Sequence, residues 1–271
     1  MTASQPIGVF DSGIGGLTVA AALRKLLPHE NILYIGDTAR VPYGGKSQTT
    51  IERYSLEISS LLRSQGAKMI VVACNTASAL AIPKLAATLD IPVTGVIVPG
   101  AKAAISATCN GHVGVIGTRA TVQSGAYEKA IHAIAPDIRV TSQACPMLVP
   151  AIEEGWLEDP ITDAILRRYL DPLVALGIDT LVLGCTHYPL LKPAITRLVG
   201  DTIQLVDSAE NCAAAVLEIL ATRGLSAPPD RQGTLEVLLT DATDGFLPTA
   251  EKALNLQVGN VRIIDLPPYR A

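Results

Sequence analysis

Short apolar runs alternate with helical patterns along the whole chain. Pro6-Ile7-Gly8-Val9-Phe10 is strand-like and meets a Gly-rich turn, Asp11 to Gly16. Leu17, Ala20, Leu23 and Leu27 then recur on one helical face. Strand, tight turn and helix make a βα unit. Asn31–Gly36 is a second strand, and Asp37 to Gly45 is a polar loop punctuated by Gly and Pro. A helix begins near Ser47, with Ile51, Tyr54, Ile58, Leu61 and Leu62 on its apolar side. The run Lys68 to Ala73 predicts a third strand, ending at Cys74. The next helix is expected to turn Ile82, Leu85, Ala86 and Leu89 inward, and Pro83 suits only its first turn. Ile91–Val98 is a further apolar stretch, closed by Pro99-Gly100.

The pattern then restarts. His112–Gly117 followed by Thr118 echoes Ile7–Asp11 followed by Ser12. Thr118 or Thr121 is placed to cap a helix carrying Tyr127, Ile131 and Ile134. Ile138–Val140 is a short strand, and Cys145 to Trp156 is weakly regular. Ile161, Ile165, Leu166, Tyr169 and Leu173 predict a helix. Asp179–Gly184 is a strand ending at Cys185, and Leu191, Ile195 and Leu198 line the helix after it. Ile203–Val206 is a strand, and Asp207-Ser208-Ala209-Glu210 reads as a capping box. Residues 223–233 form a surface loop. Two last strands, Leu235–Thr240 and Val261–Asp265, flank a short helix around Leu247 to Leu254.

Gly8 and Gly114 are 106 positions apart, and Cys74 and Cys185 are 111 apart. So small a drift is what two related halves with altered loops would show. The expected fold class is therefore α/β: two pseudo-symmetric α/β lobes with the active site at their interface. The first lobe takes residues 1–98 plus 205–271 and carries Cys74. The second takes 99–204 and carries Cys185.

The chain has 271 residues, 49% of them apolar, and a net charge of −4. That is ample for two lobes with substantial cores. The mild acidity and the lack of a basic run argue against nucleic acid as a partner. Five cysteines, an odd number without C-x-x-C spacing, fit neither a disulfide scaffold nor a zinc knuckle. The short polar start carries no signal pattern and no run is long enough to span a membrane. A cytoplasmic, reducing location is therefore expected, and it suits free thiols. Glycines at 13, 15 and 16 match neither the dinucleotide fingerprint nor a P-loop. No cofactor and no metal is expected.

The chemistry concentrates at two strand ends, where ligands bind in open α/β sheets. Cys74-Asn75-Thr76 follows one apolar run and Cys185-Thr186-His187 the other. A thiolate abstracts a proton and a thiol donates one, and the ordinary thiol pKa of about 8.5 lies near that task. Inverting a carbon centre needs a base on one face and an acid on the other, which two lobes with one thiol each supply. A hydrolase would leave the second thiol unexplained. His187 shares a side with Cys185 if the chain stays extended; its plain alternative is a satisfied structural histidine. Asp11 is equally readable as a turn cap. Ser12, Asn75, Thr76, Thr118, Thr121 and Thr186 form a set suited to carboxylates and an ammonium, although each alone is as readily a cap. Cys109, Cys145 and Cys212 read as structural.

The segments Gly8 to Val19, Gly36 to Gly44, Ala73 to Ala77, Pro150 to Gly155 and Leu183 to Leu190, in this order, resemble the glutamate racemase family of cofactor-independent isomerases. The resemblance covers most of the chain. It implies interconversion of L- and D-glutamate, supplying D-glutamate for peptidoglycan synthesis. It implies Cys74 as the thiol that deprotonates D-glutamate and Cys185 as the one that deprotonates L-glutamate. Asp11 would assist the first, and Glu153 and His187 the second. Asp11, Ser12, Pro42, Tyr43, Gly44, Asn75, Thr76, Thr118, Thr121, Thr186 and His187 fall at substrate-binding positions. The choice of Glu153 over Glu154 rests on the family pattern. Family members are often dimers in differing arrangements, so a homodimer is expected without an assigned interface. The rival readings are an aspartate or hydantoin racemase, and a non-catalytic binding module with structural cysteines.

Overall fold

The structure is a computed structural model and describes residues 2–242, 248, 251, 256, 258 and 261–267. In chain order the first half runs β1 (Ile7–Asp11), α1 (Leu17–Leu26), β2 (Ile32–Gly36), α2 (Gln48–Ser64), β3 (Met69–Val72), α3 (Asn75–Thr88), β4 (Val93–Gly95) and α4 (Ile97–Ala107). The second runs β5 (His112–Gly117), α5 (Arg119–Ser124), α6 (Ala126–His132), β6 (Arg139–Ala144), α7 (Leu148–Glu153), α8 (Pro160–Ala175), β7 (Thr180–Gly184), α9 (Lys192–Val199) and β8 (Gln204–Asp207). After these come α10 (Ser208–Thr222), β9 (Leu235–Leu239) and β10 (Val261–Ile263).

Two parallel sheets result. One has the order β10-β9-β2-β1-β3-β4 and the other β6-β5-β7-β8. The two repeats therefore build their sheets in the same order, second strand, first, third, fourth. The spacing persists in the register: Phe10 pairs with Val72, as Ile116 pairs with Leu183. Strands β1, β2, β3, β5 and β7 are buried along their whole length. That explains why they read as continuous apolar runs, since helices cover both faces of a parallel sheet. One core cluster spans both sheets, joining Val9 and Val71 to Leu181 and Leu183. Two further clusters fill the outer layers, one under α2 and α3, the other under α4 and α6. Among the described residues no helix is long and apolar enough to cross a membrane.

Several expectations are corrected. Helix α3 starts directly after Cys74, so Pro83 sits inside it rather than in its first turn. Pro83 is exposed there, and the inward face is Ala77, Ala81 and Leu85, with Ala86 outside. The helix expected to carry Tyr127, Ile131 and Ile134 is broken in two. Gly125, left-handed at φ 63°, ends α5 and starts α6, and Ile134 is exposed beyond its end. A left-handed residue there favours glycine. The crossing expected at 98/99 falls within α4. The boundary expected at 204/205 cuts β8, which pairs with β7 in the four-stranded sheet. Chain numbering alone cannot show that the fourth strand of the second repeat is still to come at residue 205. Cys145 and Cys212 are buried, whereas Cys109 is exposed. The short helix expected around Leu247 to Leu254 lies for the most part outside the described residues.

Candidate active site

The first and third strands of each repeat are neighbours whose connections leave in opposite directions, and ligands bind at such switch points. Asp11 ends β1 and Ser12 follows it; Cys74 follows β3. Thr118 follows β5, and Cys185 follows β7. The two sheets turn these ends toward one small cavity of about 40 Å³. Cys74 and Cys185 both line it. So do Ser12, Pro42, Tyr43, Gly44, Asn75, Thr76, Thr118, Thr186 and His187. Asp11, Thr121 and Glu153 stand behind this lining. Val41 and Val149 also line the cavity and were not singled out from the sequence. Val41 adjoins Pro42 in the expected loop, but an isolated Val at residue 149 carries no signal of its own. Wider grooves of about 910 and 820 Å³ lie along α10, against α1 and α4 respectively. Neither is lined by a thiol or an imidazole, so the chemistry marks the small cavity.

On the first side Cys74 is the N-cap of α3. Its Sγ accepts from the Ala77 N–H at 3.5 Å and lies 3.7 Å from Ser12 Oγ. Burial nevertheless pushes this thiol up to about 12. The nearby Asp11 charge adds to the rise, and the Ala77 N–H and the Ser12 hydroxyl oppose it. Asp11 is fully buried, and its Oδ2 accepts from the N–H groups of Gly13 at 3.1 Å and Gly16 at 3.0 Å. The glycine turn thus cradles a carboxylate belonging to the protein itself. Burial raises Asp11 above the ordinary carboxylate range, against the pull of His187 and of those N–H groups. Thr186, from the other sheet, donates to Asp11 Oδ1 at 3.4 Å.

On the second side His187 Nδ1 lies 3.9 Å from Cys185 Sγ, and its Nε2 is 3.2 Å from Glu153 Oε1. Burial disfavours the imidazolium, but hydrogen bonds and charge from Cys185 and Glu153 outweigh it and raise His187 to about 10. Cys185 and Glu153 together thus favour the protonated ring. It is Glu153, the last residue of α7, whose carboxylate meets His187.

The lobes meet through small polar groups. Thr76 Oγ1 is 2.9 Å from Thr118 Oγ1 and 3.3 Å from Thr121 Oγ1, and those two are 3.0 Å apart. Close approach also depends on glycines: a Cβ on Gly15 would lie 2.4 Å from His187 Nδ1, and one on Gly44 2.8 Å from Thr118 Cβ. The phenol of Tyr43 donates to Asp37, which also accepts from Arg40 Nε at 2.7 Å and Thr240 at 3.0 Å. That network anchors the Pro42–Gly44 loop to β9. Among the described residues no three His, Cys, Asp or Glu side chains are grouped to hold a metal ion.

Residues 17–216 match the family model described as Asp/Glu/Hydantoin racemase. A glutamate racemase of Geobacter metallireducens is 50% identical over 262 residues, covering 97% of each chain. A crystal structure of a glutamate racemase isoform from Bacillus anthracis superposes with a TM-score of 0.92 at 41% identity, covering 98% of this chain and 99% of that one. The Francisella tularensis glutamate racemase, solved in complex with D-glutamate, gives a TM-score of 0.90 at 36% identity, covering 98% of this chain and 100% of the other.

Proposed function

The chain belongs to the Asp/Glu/hydantoin racemase family, and on that footing we propose that it interconverts L- and D-glutamate by proton transfer between its two thiols. The observation that carries this reading is the pair of thiols lining one cavity from equivalent strand ends of two sheets. Near-full-length similarity to glutamate racemases supports glutamate as the substrate.

The unlike surroundings of the thiols support a division of labour. Burial and the Asp11 charge favour the protonated form of Cys74, the form that a proton donor needs. Cys185, beside His187, is placed to remove the Cα proton of L-glutamate while Cys74 protonates the opposite face. In the reverse direction Cys74 takes the proton from D-glutamate with Asp11 assisting, and Cys185 delivers one. His187 and Glu153 assist on the Cys185 side. Ser12, Pro42, Tyr43, Gly44, Asn75, Thr76, Thr118, Thr121 and Thr186 hold the substrate. The Ser12 hydroxyl, the Asn75 amide and backbone N–H groups among them are preorganised donors for its carboxylates and for the charge that develops at the α-carboxylate. The two sheets act as the two lobes. D-glutamate for peptidoglycan, a cytoplasmic location and a homodimer complete the proposal; light scattering tests the last.

The deciding experiment is Cα–H exchange in D₂O from each enantiomer. Wild type exchanges and inverts both. Cys74→Ser exchanges L-glutamate without inversion, because Cys185 still deprotonates it, and Cys185→Ser does the same with D-glutamate only. Bound glutamate with no exchange in wild type would sink the racemase reading. Exchange confined to aspartate would keep the mechanism and discard the substrate.

A further inference from the structure

Resting on the racemase reading, we infer that Tyr127 is a positioning residue for substrate. Its phenol orients the side-chain amide of Asn75 so that the two amide N–H donors face the cavity and take a substrate carboxylate. Asn75 lines the cavity and is the residue after Cys74. Tyr127 sits on α6, on the other sheet, and is not part of the lining. Its O–H donates to Asn75 Oδ1 at 2.7 Å, and both residues are buried.

An asparagine amide has an acceptor end and a donor end. With Oδ1 turned to the phenol, Nδ2 is the end turned away from it, on a residue that lines the cavity. It is buried and has no partner among the described residues. A buried N–H without an acceptor is costly, and a carboxylate in the cavity removes that cost. The reversed amide would present Oδ1 to the cavity and repel the carboxylate. In the structure the phenol donates to Oδ1, and the amide is held in the useful orientation before substrate arrives.

The ring itself has little freedom. A Cβ on Gly100 of α4 would lie 3.1 Å from Tyr127 Cε1, and one on Gly184 would lie 3.2 Å from Cε2. Gly184 is the residue before Cys185. Tyr127 is thus braced against the strand end that carries one thiol while it sets the amide beside the other. Groups held this way keep a site within the tolerance that orientation requires.

A double-mutant cycle on the full chain tests this. Tyr127→Phe, Asn75→Ala and the double variant are compared in glutamate turnover in both directions and in calorimetric Kd for D-glutamate. Tyr127→Phe keeps the ring between its two glycines and is expected to raise KM and Kd about tenfold, with kcat within about threefold of wild type. In the Asn75→Ala background the same change is expected to alter Kd less than about twofold, because the amide it orients is gone. An unchanged Kd in Tyr127→Phe, or an equal loss in both backgrounds, overturns the inference. If Tyr127→Phe does not fold, Gly100→Ala crowds the ring instead and is judged by the same two outcomes. A wild type that binds glutamate without racemising it overturns the functional reading alone, since the cycle in Kd still decides the role of Tyr127.

Discussion

His187 carries much of the electrostatic difference between the two sides of the cavity, and its titration is measurable. Its folded pKa of about 10 lies above the unfolded value of about 6.5. A raised pKa stabilises the fold fully below the unfolded value, and the gain fades as pH climbs to the folded one. The Tm difference between wild type and His187→Asn is therefore expected to be largest below pH 6.5 and to shrink toward pH 10. Gly15→Ala is the steric counterpart. Its Cβ would press on the imidazole at 2.4 Å. A displacement on the scale of 1 Å lowers rates about a hundredfold, and kcat/KM in a racemisation assay is expected to fall by that order. At this scale the sequence exposed residues with unusual chemistry at strand ends: Cys74, Cys185 and His187. It hid residues that act by reach. Nothing local distinguishes Glu153 from Glu154 until α7 turns one toward His187. Tyr127 reads as an ordinary apolar helix position until its hydroxyl meets Asn75 from across the cleft.

Elements were legible where burial is uniform. The strands under both helical layers show as unbroken apolar runs because no face of them meets water. Legibility failed where a helix boundary depends on a partner. Helix α3 begins at the thiol because Cys74 caps it, a role that favours Asn, Asp, Ser and Thr and so left no signal at a cysteine. Lys68 is a similar case, a cation at the start of a strand that proves fully buried. Its Nζ donates to Glu30 Oε2 at 2.5 Å and to the carbonyls of Ala3 and Leu225 at 2.7 and 2.8 Å. It thereby pins the N-terminal segment, β3 and the chain after α10 together. Removing one member of a buried ion pair costs about 3–5 kcal/mol. Lys68→Met is expected to lose that much in urea unfolding. The double variant Lys68→Met/Glu30→Leu is expected to recover at least about half of it, since the uncompensated charge is gone.

At the scale of the molecule, the repeat was visible as a near-constant offset, and the structure turns that offset into two sheets of one strand order. The additions β9 and β10 extend only the first sheet, on the β2 side. A chain ending at residue 233 would leave the buried β2 as an open edge and remove Thr240 from Asp37. Such edges template aggregation, and that truncation is expected to sediment on expression while the full chain stays in the supernatant.

The two thiols have unlike companions, a carboxyl group near Cys74 and an imidazole at Cys185, yet the compounds they would interconvert are mirror images of equal free energy. Their equilibrium constant is one. The Haldane relation then forces kcat/KM to be the same in both directions for wild type and for every variant that still racemises. Whatever preference Asp11 or His187 introduces must appear in kcat and be matched in KM. Damage to either side slows both directions equally at low substrate, and its handedness shows only at saturation or in isotope exchange.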